Sequence, residues 1–281
     1  RPAFAKQLKG GMMCQDIFVE VGHGPTLIDN NILLSDVSLR FATQGVAMVH
    51  NLICGALTCV GEGTGWRYTP YHMPHRTEVM GFMTILHGDD RFYNNIFVQK
   101  WPSEDFITMH DSDDGFDSEN RRVGTWMFDE YPTYDEWISQ FDFTKPADMK
   151  KLEPVHFEHL PVWSEGNVYL NGAKAWKHEK DGFVSSENAK VELTEKDGKY
   201  ILDTNIYEIL GDFSDRMINT EILGKAFEPE EFFENPDGTP IRFDSDYFGG
   251  HRGAKVIPGP FAEKEEIGKN VNMSTCALNK L

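Results

Sequence analysis

One acidic residue interrupts an apolar, strand-like run: Glu20, in Phe18-Val19-Glu20-Val21, followed at once by Gly22-His23-Gly24-Pro25. Alternation along a strand puts Phe18 and Glu20 on one face and Val19 and Val21 on the other. The carboxylate therefore faces solvent or a groove, and the sharp turn after it brings His23 towards the same place. A carboxyl group so placed can give and take a proton. A second polar cluster, Tyr68-Thr69-Pro70-Tyr71-His72-Met73-Pro74-His75-Arg76-Thr77, gathers aromatics, two histidines and an arginine around prolines that stiffen it. His87-Gly88-Asp89-Asp90-Arg91 follows. Aromatic faces beside His, Asp and Arg suit a sugar, whose hydroxyls need polar partners and whose C–H face stacks on a ring. On this reading Glu20 is the catalytic candidate. His23, Tyr71, His72, His75, Arg76, Asp89, Asp90 and Arg91 are the candidates for substrate contact.

Other chemistry is poorly served. His72 and His75 with Asp89 could be metal ligands, but His-x-x-His spans a proline and lacks the one-face helical spacing of zinc sites, so no metal and no cofactor is expected. The acidic run Asp111 to Glu119 has the carboxylate density of a calcium loop without its full spacing and reads as a solvated loop. Gly61-Glu62-Gly63-Thr64-Gly65 cannot readily open a helix with Pro70 and Pro74 after it, and reads as a turn. Cys54 and Cys59 sit in a strand-like segment without an electropositive setting and read as small core residues.

The elements that must position these residues repeat. With Ile17 to Asp36 set above Val37 to Ala56, Phe18-Val19-Glu20-Val21 falls over Ser38-Leu39-Arg40-Phe41, and Asn30-Asn31-Ile32-Leu33 over His50-Asn51-Leu52-Ile53. The pattern returns at Asn94-Asn95-Ile96-Phe97, 44 residues after Asn51 and close to two further periods, and more faintly at Gly166-Asn167-Val168. Short strands parted by Gly, Asn and Asp, with one Asn per turn of about twenty residues, describe the rungs of a parallel β-helix, each Asn bonding at a bend to the next rung. A β-sandwich with coincidental Asn-rich turns is the rival. The expected fold is all-β: parallel β-helix rungs over 1–150 and a β-rich C-terminal region over 151–281 that could continue the helix. Within it, Tyr134 to Ile138 suggests a short helix. Asn171-Gly172, Asp181-Gly182, Asp197-Gly198 and Asp237-Gly238 mark tight turns, with the clearest hairpin around Asp197-Gly198.

The 281 residues carry 45 Asp and Glu against 27 Lys and Arg, a formal charge of -18. That balance argues against nucleic acid and anionic membranes as partners, and no apolar run approaches the roughly 18 residues of a membrane span. Four cysteines are too few for a disulfide framework, which with the lack of any leader before Arg1-Pro2 points to a cytoplasmic protein. That opening also suggests a C-terminal portion of something longer. Self-association is left open.

A stack of parallel strands suits glycoside hydrolysis. Retaining enzymes need two carboxyl groups about 5–5.5 Å apart, and neighbouring strands lie about 4.7–4.9 Å apart. The twenty-residue register carries Glu20 onto Arg40, which is no nucleophile, so the second carboxyl group is expected before Arg1.

Gln15-Asp16-Ile17-Phe18-Val19-Glu20-Val21-Gly22-His23-Gly24-Pro25, Asp29-Asn30-Asn31, Arg67-Tyr68-Thr69-Pro70-Tyr71-His72 and Gly88-Asp89-Asp90-Arg91-Phe92-Tyr93-Asn94-Asn95-Ile96-Phe97 together resemble the β-xylosidases of glycoside hydrolase family 120. The resemblance implies a right-handed parallel β-helix interrupted by a β-sandwich, and exo-acting hydrolysis of short xylo-oligosaccharides with retention. It also implies Glu20 as the acid/base, with the Asp nucleophile and the sandwich among missing N-terminal rungs. The 281-residue chain alone is then expected to be inactive. Two alternatives stay open: a calcium-dependent polysaccharide lyase of β-helix type with Arg40 as its base, and a non-catalytic carbohydrate-binding module.

Overall fold

The computed structural model describes residues 15–59, 68–73, 75–100, 123–152, 158–262 and 271–272. Short apolar runs closed by Asn, Gly and Asp turns become short strands. The first two sets are β1 (Gln15–Glu20), β2 (Thr26–Asp29) and β3 (Ile32–Leu33), then β4 (Val37–Ala42), β5 (Val46–Val49) and β6 (Leu52–Ile53). β7 (Ala56–Cys59) begins a third set, completed by β10 (Asp90–Tyr93) and β11 (Ile96–Val98) after an inserted pair, β8 (Tyr68–His72) and β9 (Val79–Thr84). β12 (Val162–Glu165), β13 (Val168–Leu170) and β14 (Phe183–Ser185) follow.

Apart from the inserted pair, these strands form three sheets, ordered β1-β4-β7, β12-β10-β5-β2 and β14-β13-β11-β6-β3. Every pairing within them is parallel. The chain visits the sheets in turn and lays each pass beside the last, which a sandwich of hairpins does not do. The stack continues through Ser185, within the region after 150 expected to be β-rich and able to continue the helix.

Two details of the expected register are corrected. The offset is 20 residues in the second and third sheets, where Thr26 faces Val46 and Ile32 faces Leu52, but 22 in the first, where Gln15 faces Val37. Residues 21–25 turn the first corner where 43–45 suffice in the next pass, so Glu20 lies beside Ala42, and Arg40 beside Phe18. The 44 residues from Asn51 to Asn95 are also one pass, not two: β11 pairs directly with β6, and the β8–β9 arm takes up the extra length. A solenoid absorbs such an insertion because each strand bonds to the neighbouring pass and not to its sequence neighbour.

The asparagines stack as a ladder. Asn31 N donates to Asn51 Oδ1 at 2.9 Å, Asn51 N to Asn95 Oδ1 at 3.0 Å, and Asn95 N to Asn167 Oδ1 at 2.9 Å. Each side-chain amide repeats the step. The residues before them, Asn30, His50, Asn94 and Gly166, all have positive φ, between 53 and 67°, which makes the bend. The ladder ends on a carboxylate: Glu179 Oε1 accepts from Asn167 N at 3.0 Å, and Tyr169 and Ser164 hydroxyls donate to Oε2. Burial pushes this carboxyl up in pKa, against those hydrogen bonds.

Leu39, Phe41, Met48, Ile53, Phe92, Phe97 and Tyr169 fill the interior of the stack. The C-terminal region coats two outer faces. Leu52, Ile96 and Val168 pack against Leu202, Ile206, Leu210 and Phe261, while Ala47, Val49 and Tyr93 pack against Ile218, Leu223, Phe233 and Phe243. Strands covered on both sides lose alternation, so all four residues of β5 are buried. Arg252, 2% exposed, pins the coat by donating to Asn30 Oδ1 at 2.8 Å and to the carbonyls of Ile257, Gly259 and Phe261. The hairpin expected around Asp197-Gly198 is present, with Val191–Lys196 antiparallel to Lys199–Thr204. The helix expected at Tyr134–Ile138 is present behind a Thr133–Glu136 capping box.

Candidate functional site

Glu20 closes β1 on its outward face. The strand alternates, with Ile17 and Val19 against the core and Phe18 and Glu20 exposed. β1 is the edge of its sheet among the described residues. Directly after Glu20, Val21 takes φ 49° and its N–H donates to the Ala42 carbonyl at 2.7 Å, turning the chain out of the strand. Gly24, at φ 76°, then passes so close to the next pass that a Cβ would sit 2.4 Å from the Gly45 carbonyl oxygen. Only glycine fits there.

The corner opens onto a cleft of about 630 Å³ lined by Val21 and Gly22; Glu20, next to Val21 in sequence, is not among its lining residues. The β8–β9 arm forms one wall. Its strands are antiparallel, Tyr71 facing Gly81, and Thr69, His72 and His75 line the cleft from it. The opposite wall comes from the C-terminal coat, through Glu231, Phe232 and Glu234. His23 lies at the base, 4% exposed. The Thr69 hydroxyl is 3.4 Å from both its ring nitrogens. Burial lowers its pKa, partly offset by hydrogen bonds to the Met83 and Thr84 carbonyls, and these contacts tie the corner to the arm.

The candidates for substrate contact thus divide. His23, His72 and His75 come together in the cleft, with Tyr71 in the same strand as His72. Arg76 is at the arm's tip, 60% exposed, 3.7 Å from Glu78 and outside the cleft lining. Asp89, Asp90 and Arg91 are a correction: all three are at most 3% exposed and spent on the protein itself. Arg91 donates to Asp89 Oδ1 at 2.6 Å and to the Leu223 and Lys225 carbonyls, with its guanidinium 4.4 Å from the Trp163 ring and 4.7 Å from that of Phe233. Asp89 Oδ2 accepts from Phe227 N, and Asp90 Oδ1 from Val46 N. Asp90 and Arg91 open β10 and Asp89 directly precedes it; the strand is flanked on both sides and coated on both faces, so a charged run there has to find its partners inside the protein.

Arg40, the base a lyase would need, lies 5.0 Å from the centre of the Phe18 ring. Cys54 and Cys59 are free thiols, pushed to about 12 by burial. Among the described residues no group of three or more His, Cys, Asp or Glu is arranged to hold a metal. The acidic run 111–119 and the glycine-rich turn 61–65 lie outside the described residues. The cleft's second wall was missed in the sequence. Its signal was there: Phe227-Glu228-Pro229-Glu230-Glu231-Phe232-Phe233-Glu234-Asn235-Pro236 has the aromatic, charged, proline-bounded composition that singled out the arm.

No protein-family model matches the chain, and no curated protein matches it. A solved structure of XylC in complex with xylose is similar to it, with a TM-score of 0.73 and 30% identity over 92% of this chain. The chain spans 37% of the length of XylC.

Proposed function

We propose that this chain belongs to a retaining, exo-acting β-xylosidase built on a right-handed parallel β-helix, with Glu20 as its general acid/base. The observation that carries the reading is the placement of Glu20: outward, exposed, on a strand that edges its sheet among the described residues, and next in sequence to Val21, which lines the cleft. The likeness to a xylose complex and the family 120 resemblance of the segments around Glu20 support the same activity.

In this mechanism the Glu20 carboxyl group protonates the departing glycosidic oxygen while a second carboxylate attacks the anomeric carbon. The Glu20 carboxylate then takes a proton from the water that displaces that nucleophile. Ala42 occupies the position beside Glu20 on β4, so the nucleophile cannot come from there. A strand along the other edge of β1 would bring a carboxylate to about 4.8 Å, one strand spacing, close to the separation that retention requires. His23, Tyr71, His72 and His75 are assigned to the substrate side of the cleft. A cytoplasmic location belongs to the same proposal, supported by the free thiols of Cys54 and Cys59. No helix among the described residues is long and apolar enough to cross a membrane.

The test is Glu20→Ala in the whole protein on two xylosides. An activated aryl leaving group needs little protonation and should still react, an alkyl leaving group should not, and azide should restore turnover by replacing the water that needs a base. Equal loss on both substrates without azide rescue would remove Glu20 from the acid/base role.

A further inference from the structure

We propose that His75 is a proton-operated latch that fastens the β8–β9 arm to the 229–237 segment across the mouth of the cleft. His75 stands at the turn of the arm with φ 54°. Its Nε2 lies 2.7 Å from Glu234 Oε1 and 3.7 Å from Glu231 Oε1, and its backbone N–H donates to Glu231 Oε1 at 3.2 Å. The ring also bonds the Pro236 carbonyl. Two acceptors are met fully only by an imidazolium, which donates from both nitrogens; a neutral ring turns a lone pair towards one of them. Each contact joins segments about 156 residues or more apart in sequence, and the two segments are the facing walls of one cleft.

The charged surroundings favour the protonated form. From the wall, the Glu231, Glu234 and Asp237 carboxylates face the ring, and Asp237 is itself lowered, chiefly by Thr239 and in part by His75. From the arm come His72, which bonds the Thr77 carbonyl, and Arg76, which is beside Glu78. From the corner comes His23, whose pKa burial lowers. The hydrogen bond to Glu234 raises the His75 pKa above its ordinary value. The closed arm therefore takes up a proton, and closure is lost as pH rises through that raised value. By linkage the closing equilibrium changes tenfold for each pH unit that separates the closed and open pKa values. The His75 side chain is 40% exposed, so added salt should weaken the latch.

Two measurements test this on the whole protein, and neither depends on sugar chemistry, so their outcome is independent of the xylosidase reading. The first is the NMR titration of His75. Its midpoint should lie above that of an ordinary histidine and fall towards it in Glu234→Gln. The second is amide exchange of residues 75–84 at pH 5.5 and 8.5, corrected for intrinsic exchange. Opening should rise severalfold with pH in the wild type, while His75→Gln should be open to the same extent at both values. A midpoint at or below the ordinary value, or protection that ignores both pH and the substitution, would overturn the latch.

Discussion

Replacing Asn95 by alanine should be among the costliest single changes in the stack, and the structure says by how much. Asn95 Oδ1 accepts from Asn51 N at 3.0 Å and Asn51 Nδ2 at 2.9 Å, while its own Nδ2 donates to the Met48 carbonyl at 2.8 Å and to Asn167 Oδ1 at 3.0 Å. Three of the four partners keep a bond after truncation: Asn51 Nδ2 still reaches the Ile28 carbonyl, Asn167 Oδ1 still accepts from Asn95 N, and the Met48 carbonyl keeps its place in the β5–β10 ladder. The Asn51 N–H is left without its bond in a fully buried place. At about 1–3 kcal/mol for the stranded group and about 1 kcal/mol for the other lost bonds, the cost is about 2–4 kcal/mol, against a total stability of about 5–15 kcal/mol for a typical domain. Among the described residues Asn31 ends the ladder in a half-buried position and only donates, to the Asp29 carbonyl and Asn51 Oδ1, so Asn31→Ala should cost about 1 kcal/mol. Urea unfolding at neutral pH measures both, through the shift in midpoint at unchanged slope. The double substitution Asn51→Ala with Asn95→Ala should cost less than the sum of its parts, because the two share their bonds. An Asn95→Ala shift no larger than that of Asn31→Ala would refute the view that the ladder is a chain of buried, mutually dependent bonds.

The remaining predictions concern buried titratable groups. Burial pushes the Asp90 carboxyl well above the ordinary range although Val46 N donates to it. The folded protein thus keeps a proton that the unfolded chain releases, and stability falls as pH rises from the ordinary carboxyl range through the raised value. Asp90→Asn keeps an acceptor for Val46 and should reduce that fall, visible as a smaller difference between urea midpoints at pH 5 and pH 8; parallel pH profiles for the two proteins would count against it. Asp89 and Glu179, also raised by burial, should retain part of the slope. Cys54 and Cys59, with thiols near 12, should resist alkylation at pH 8 until the protein unfolds, as mass spectrometry of labelled peptides can follow; rapid labelling of the native protein at either site would show that the strands open far more readily than their burial implies.

The stacking of short strands was legible because it obeys a local rule. A bend that needs positive φ and an asparagine that bonds across to the next pass recur at Asn30-Asn31, His50-Asn51 and Asn94-Asn95, and a residue's backbone preferences travel with its type. Glu20 was legible for a similar reason: alternation within β1 assigns it to the outward face without knowledge of any neighbour. Its register was not. Two extra residues at the corner 21–25 move Glu20 from Arg40 to Ala42, and the length of a turn becomes a register only once both strands are paired.

Asp89-Asp90-Arg91 shows the limit most clearly. In sequence, a dense charged run beside a histidine has the same composition whether it binds a ligand or braces a core. The difference is which surfaces cover it, and those come from Val46, Trp163, Leu223 and Phe233, between about forty and a hundred and forty residues away. The far wall of the cleft was hidden for the same reason, since Glu231 and Glu234 meet His75 only after the C-terminal coat has folded over the second sheet. Periodicity and backbone preference are properties of adjacent residues and so survive in the chain as written. Burial, partnership and the shape of a cleft are properties of surfaces brought together from distant segments, and they exist only once those surfaces have packed.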